Sequence, residues 1–132
     1  MASLIELDTH VAVWLSAGQI TRLPTYVPAL LRSAPPSISP MVLLELDYLY
    51  EIGKIKVTGE DILRDLARKI GLTLAPASFV SVIREASGLT WTRDPFDRLI
   101  SATARVSGAR LLTKDANILA HESLAFWDQP PV

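Results

Sequence analysis

Residues 93–115 read RDPFDRLISATARVSGARLLTKD. Asp94 followed by Pro95 is a helix start: a carboxylate that accepts from first-turn N–H groups, then a proline whose missing donor costs nothing there. The spacing predicts a helix from Pro95 to Val106, ended by Gly108. Residues 110–113 then form a short apolar strand, and Asp115 opens a brief helix. Helix, glycine, buried strand and terminal acid make one turn of a wound α/β sheet.

The same grammar extends through the rest of the chain. Residues 3–7 form a short apolar run, interrupted only by Glu6, and read as a buried first strand. Asp8 caps a helix running to Leu15. A second helix is predicted over 21–32, although Pro24 and Pro28 each remove a backbone donor from it. Ala34-Pro35-Pro36 breaks that helix, and 37–39 is a very short strand. Ser39-Pro40 starts a helix over 40–52 that stops at Gly53. Residues 58–61 open another, ending near Ile70 before Gly71. A strand over 72–75, a helix over 77–86 and a last strand over 124–127 complete the series. Strands alternating with helices predict a parallel sheet covered on both faces, with any site outside the carboxyl ends of its strands. No internal repeat or linker divides the chain, so one domain over 1–132 is expected.

Composition narrows the chemistry. With 49% hydrophobic residues among 132, a full core is expected. The chain has no cysteine, which excludes disulfides, zinc–thiolate sites and thiol nucleophiles. Two histidines, His10 and His121, are too few for a histidine-rich metal site. The net charge of -1 counts mildly against a nucleic-acid binder. An acidic cluster would lower that sum while basic residues still lined its rim. The first residues lack a basic segment followed by a long apolar run, and no stretch approaches a membrane span. A soluble, cytoplasmic protein is expected.

The acids are the chemistry-bearing residues. Asp8, Glu45, Asp94, Asp97 and Asp115 all fall at one predicted edge of the sheet. Asp8 reads equally as a simple helix cap. Asp94 and Asp97 form a near capping box that needs no catalysis to explain it. Asp115 also reads as a cap. Glu45 is less easily dismissed, because its helix-face neighbours Met41, Val42, Tyr48 and Leu49 are nearly all apolar and a buried carboxylate requires a partner. Asp47 reads as solvent-facing. Several gathered carboxylates suit a hard divalent cation, magnesium or manganese, and so metal-assisted chemistry on phosphate esters. Arg93, Arg98 and Lys114 lie beside the acids and are candidate phosphate contacts, with ordinary surface charge as the alternative. Ser39 and Thr113 are candidate hydroxyl donors that orient the acids. His10, Trp14 and Trp91 read as packing groups.

Taken together, these residues resemble a PIN domain, specifically the VapC-type toxins of bacterial toxin–antitoxin pairs. LDTHVAVWL resembles the family's opening, with its first acid matched by Asp8. SPMVLLELDYLYEIGKI resembles the second segment, matching Glu45. DPFDR, the small-residue helix, the glycine, the strand and Thr-x-Asp match Asp97 and Asp115, with Asp94 beside them. LAFW at 124–127 resembles the final strand. The resemblance implies a three-layer α/β sandwich and an Mg2+- or Mn2+-dependent endoribonuclease acting on RNA. It further implies a VapB-type antitoxin as partner and a homodimer. Val13, Trp14, Tyr26, Leu30 and Leu31 are candidates for the partner surface, or are core. Two alternatives stay open: a non-toxin PIN nuclease of RNA processing, and a receiver-like phospho-signalling domain. The latter wants a phospho-acceptor after a middle strand, where this chain has Ala75-Pro76.

Overall fold

A computed structural model describes residues 4–131 of the chain. Its elements are β1 (Ile5–Leu7), α1 (Thr9–Ser16), α2 (Val27–Ser33), β2 (Ser37–Ile38), α3 (Pro40–Glu51), α4 (Gly59–Ile70), β3 (Thr73–Leu74), α5 (Phe79–Ala86), α6 (Pro95–Ser107), β4 (Arg110–Leu112), α7 (Ala116–His121) and β5 (Ala125–Phe126). The five strands form one sheet in the order β3-β2-β1-β4-β5, every pair parallel. Helices cover both faces, giving the three-layer α/β sandwich expected from the sequence.

The strand order locates the site. From β1 the chain winds outward to β2 and β3, then returns to place β4 on the other side of β1. The direction of winding therefore reverses between β1 and β4, which opens a crevice at their carboxyl ends. Register there is Ile5 with Arg110, Glu6 with Leu111 and Leu7 with Leu112. Strands this short are held by what packs on them. Ile5, Leu7, Ile38, Leu111 and Leu112 are buried with Val11, Leu46, Leu66, Ile100 and Ile118 from the helices. No helix among the described residues is long and apolar enough to cross a membrane.

The structure corrects several local expectations. The helix predicted over 21–32 is two pieces: a 3-10 turn over Ile20–Arg22, then α2 from Val27. Leu23 is extended (φ -101°, ψ 150°), as a residue before proline prefers. Pro28 lies in the first turn of α2, where it costs no hydrogen bond. The helix predicted from 77 starts at Phe79, capped by Ser78. Most strands are a residue or two shorter than predicted, and Ser3 of the first lies outside the described residues. Among the five candidate partner-surface residues, Leu31 is fully in the core, and Val13, Trp14, Tyr26 and Leu30 pack against it.

Asp47 was expected to face solvent. It is half-buried, and its Oδ1 accepts from the Gly59 N–H at 2.8 Å, which docks the start of α4 on α3. A Cβ at residue 59 would stand 2.7 Å from the Leu43 carbonyl oxygen, so this corner requires glycine. Thr58 and Asp61 complete a reciprocal capping box at the same corner.

Glu6 is the costly residue of the core. It sits in the middle of β1, 1% exposed, and neither carboxylate oxygen has a full hydrogen bond among the described residues. Burial pushes its pKa up to about 7, with the Ser107 hydroxyl opposing only weakly. The folded state therefore holds this proton more tightly than the unfolded chain does. The stabilising contribution is complete below about pH 4.5 and lost as pH rises through about 7. Thermal melts across pH 4.5 to 8 should show this loss, on the order of 3 kcal/mol for a shift of this size. Glu6→Gln should flatten that part of the profile, and an unchanged slope would show that Glu6 is ionised at no such cost.

Candidate active site

Asp8 is the centre of the crevice. It follows β1 with extended backbone geometry (φ -72°, ψ 161°) and caps α1. Its Oδ1 accepts from the Thr9 N–H at 2.8 Å. Its Oδ2 accepts from the Thr113 hydroxyl at 2.6 Å, across from the end of β4. The backbone joins the same two strand ends, Asp8 N–H donating to the Leu112 carbonyl at 3.0 Å. Thr113 thus acts as the hydroxyl donor expected of it. The same hydroxyl oxygen accepts from the Asp115 N–H at 3.0 Å, fixing the turn into α7.

The remaining acids arrive on helix starts. Asp115 caps α7 through Oδ1 to the Ile118 N–H at 2.9 Å. Asp94 caps α6 through Oδ1, accepting from Phe96 N–H at 2.8 Å and Asp97 N–H at 3.4 Å. Glu45 comes from α3 and is half-buried, its Oε1 accepting from the Thr9 hydroxyl at 2.5 Å. Asp97, in the first turn of α6, has no side-chain hydrogen bond among the described residues.

Asp8, Glu45 and Asp97 have raised pKa values. Burial is the first cause of the raised Asp97 pKa, which stands at about 7, and Asp94, Asp115, Asp8 and Glu45 all add to it. Glu45 is raised by burial, then by Asp8 and Asp94, against the opposing Thr9 hydroxyl and His10. Asp8 is raised by burial and by Asp115, while its hydrogen bonds to Thr113 and Thr9, and the charge of His10, pull the other way. No cationic side chain among the described residues forms an ion pair with any of them.

Other candidate residues fare differently. Ser39 caps α3 and bonds the Thr103 hydroxyl at 2.8 Å, reaching none of the acids. Arg98 donates to the Ala86 and Ser87 carbonyls at the end of α5. Arg93 donates to the Thr90 carbonyl from an exposed position. Lys114 is exposed and lines a hollow with Asp8, His10, Trp14 and Asp115. Thr9 went unnoticed in the sequence. Its only signal was adjacency to Asp8, and its partner Glu45 is 36 residues away.

The donor set suits a hard cation. Among the described residues Asp97 makes no side-chain hydrogen bond, and Asp94, Asp115 and Glu45 each keep one oxygen without one. An unbalanced field of like charges is what a cation relieves. Among the described residues, however, no three of these side chains already stand close enough together to ligate one ion directly. Magnesium characteristically keeps several waters, which suits a looser set of carboxylates.

The PIN domain family model matches residues 5–122. Among solved structures, the chain is similar to VapBC2 from Rickettsia felis bound to a promoter DNA fragment. The identity is 18% and the TM-score 0.65, with 92% of this chain and 95% of that one covered. It is also similar to DNA-bound VapBC from Salmonella typhimurium, at 17% identity and a TM-score of 0.60, covering 93% and 95%. PAE2754 from Pyrobaculum aerophilum follows at 20% identity and a TM-score of 0.54, covering 95% and 83%. No curated protein matches significantly. The receiver-like alternative falls, since the matched family is a different one and no acid follows β3. From its matched sequence and its sheet order, the chain belongs to the PIN domain family.

Proposed function

We propose that this chain, a single PIN domain over 1–132, is the toxin of a cytoplasmic toxin–antitoxin pair and a divalent-metal-dependent endoribonuclease. The observation that carries the reading is the convergence of Asp8, Glu45, Asp94, Asp97 and Asp115 at the β1–β4 crevice, where no Lys or Arg among the described residues forms an ion pair with them. Two lines support it: PIN domains are generally nucleases, and two of the structural neighbours are VapBC complexes. The same neighbours support a VapB-type antitoxin as partner.

Asp8, Glu45, Asp97 and Asp115 would hold magnesium or manganese, with Asp94 beside them. When bound, the ion lowers the pKa of a water and stabilises charge on the phosphate. The protein's own part is to keep the ligands in place. Thr113 and the Thr9 N–H fix both oxygens of Asp8, and the Thr9 hydroxyl fixes Glu45. Asp97, its pKa raised to about 7 by burial and by the neighbouring acids, would have to give up its proton to hold the ion. Arg93 and Lys114 are assigned to RNA phosphates, while Arg98 is engaged with α5 carbonyls. Attack by water leaves a 5′-phosphate and a 3′-hydroxyl. The two histidines pack on different rings, His10 against Trp14 and His121 on Trp91, which favours water over the RNA's own 2′-hydroxyl as nucleophile.

Exposed Phe79 of α5 and exposed Leu44 of α3 line a groove of about 320 Å3 together with Met41, Ala77, Val82 and Leu99. We assign the homodimer contact to this face. Sedimentation should give twice the monomer mass for the wild-type chain and the monomer mass for Phe79→Asp. Equal masses would place the contact elsewhere.

Purified protein should cut a cellular RNA pool at discrete positions with magnesium. Cutting should stop with EDTA and fall at least about a hundredfold with Asp8→Asn. Cleavage that survives both treatments would overturn the reading. Metal should also act on stability. Because the Asp97 pKa is raised, its contribution is complete below about pH 3.8 and lost as pH rises through about 7. In metal-free buffer, Asp97→Asn should therefore melt above wild type at pH 8 and lose that advantage near pH 4. Millimolar Mg2+ or Mn2+ should raise the wild-type Tm at pH 8 and raise that of Asp97→Asn much less. A wild-type Tm indifferent to both ions would count against a metal site.

A further inference from the structure

Trp14 has surroundings that packing alone does not call for. It lies on the core side of α1, and its ring meets Trp127 edge-on, centroids 6.0 Å apart at 62°. That contact holds the ring at a fixed angle. The rest of the half-buried ring lines the hollow of about 260 Å3 shared with Asp8, His10, Lys114 and Asp115. His10 is 6.1 Å away, centroid to centroid, and tilted at 53°. Two cations reach over the ring, Arg22 Cζ at 5.6 Å and Lys114 Nζ at 6.0 Å.

Those two cations are both exposed, and neither has an ion pair or a side-chain hydrogen bond among the described residues. Arg93 and Arg98 differ, since each donates to backbone carbonyls. An aromatic plane fixed at its far edge, flanked by two long flexible cations and opening beside the acids, is how proteins hold single-stranded nucleic acid. The base takes the ring and the cations take the phosphates. The hollow is suited to one nucleotide rather than a duplex, and only an unpaired base offers its face.

We propose that Trp14 is the platform on which one unpaired base beside the scissile phosphate stacks, with Arg22 and Lys114 contacting the flanking phosphates. This rests on the ribonuclease reading, because it places the base by its distance from the acids. It makes Trp14 a substrate-binding residue and the neighbouring base a position at which sequence preference arises.

The test compares two probes of about 12 nucleotides, within the usual span of single-strand sites. One is a random-sequence single-stranded RNA. The other is the same ribose-phosphate backbone without bases. Binding is read by fluorescence anisotropy in the Asp97→Asn background, which keeps the probe intact. With Trp14 present, removing the bases should weaken binding roughly tenfold or more. With Trp14→Leu the two probes should bind alike, and Trp14→Phe should restore most of the difference. Lys114→Ala and Arg22→Ala should weaken both probes equally and lower the salt dependence. A base effect of equal size in Trp14→Leu, no base effect with Trp14 present, or no binding by either probe would overturn the platform.

Comparison of probes within each variant removes any general loss of fold, and Trp14→Phe covers a leucine variant that fails to fold. Cleavage by the unmodified chain separates the two claims. Metal-dependent cutting without a Trp14-dependent base effect sinks the platform and leaves the nuclease. A Trp14-dependent base effect without cutting keeps the stacking platform but overturns the nuclease reading and the place beside a scissile phosphate.

Discussion

One hydroxyl group joins the two central strands. Thr113 gives its proton to Asp8 at 2.6 Å and accepts the Asp115 N–H at 3.0 Å, so a single oxygen connects the end of β1, the end of β4 and the start of α7. Hydrogen bonds to a charged acceptor in a buried setting are among the stronger ones, and leaving such an acceptor unmet costs more than making the bond returns. Asp8 is affordable at this depth because Thr113 and Thr9 meet it. The rest of the crevice is arranged around that fixed carboxylate.

The other acids are placed by helix capping. Asp8, Asp94 and Asp115 each satisfy backbone N–H groups at the start of a helix, and those helices leave the same edge of the sheet. Capping needs one oxygen of a carboxylate, so at Asp94 and Asp115 the second has no hydrogen bond among the described residues, while at Asp8 it accepts from Thr113. A parallel sheet sends the starts of its following helices to one side, so residues chosen for local structure gather into one electrostatic cluster. Glu45 and Asp97 lie within helices rather than at caps, and their pKa values are raised first by burial and further by the neighbouring acids.

Much of this was legible in the sequence. Asp94-Pro95, Ser39-Pro40 and the glycines after α4 and α6 marked helix ends, because each is a backbone requirement met by one residue type. The apolar neighbours of Glu45 pointed to burial, and it is half-buried with the Thr9 hydroxyl as its partner. What the sequence did not show was pairing between distant side chains. Arg98 and Ser39 sit beside the acids along the chain, yet their bonds go to Ala86, Ser87 and Thr103. Asp47 looked like a surface charge, since nothing local revealed that Gly59 would come within 2.8 Å of it. Pro24 holds Leu23 in an extended conformation and divides the predicted helix.

The clasp between Asp8 and Thr113 spans 105 positions of chain. Contacts of such separation form late in folding, after the loop they close has been ordered. During synthesis Asp8 emerges 105 residues before the hydroxyl that meets its second oxygen. A ribosome-bound fragment ending before β4 contains Asp8, Glu45, Asp94 and Asp97 and still has no crevice.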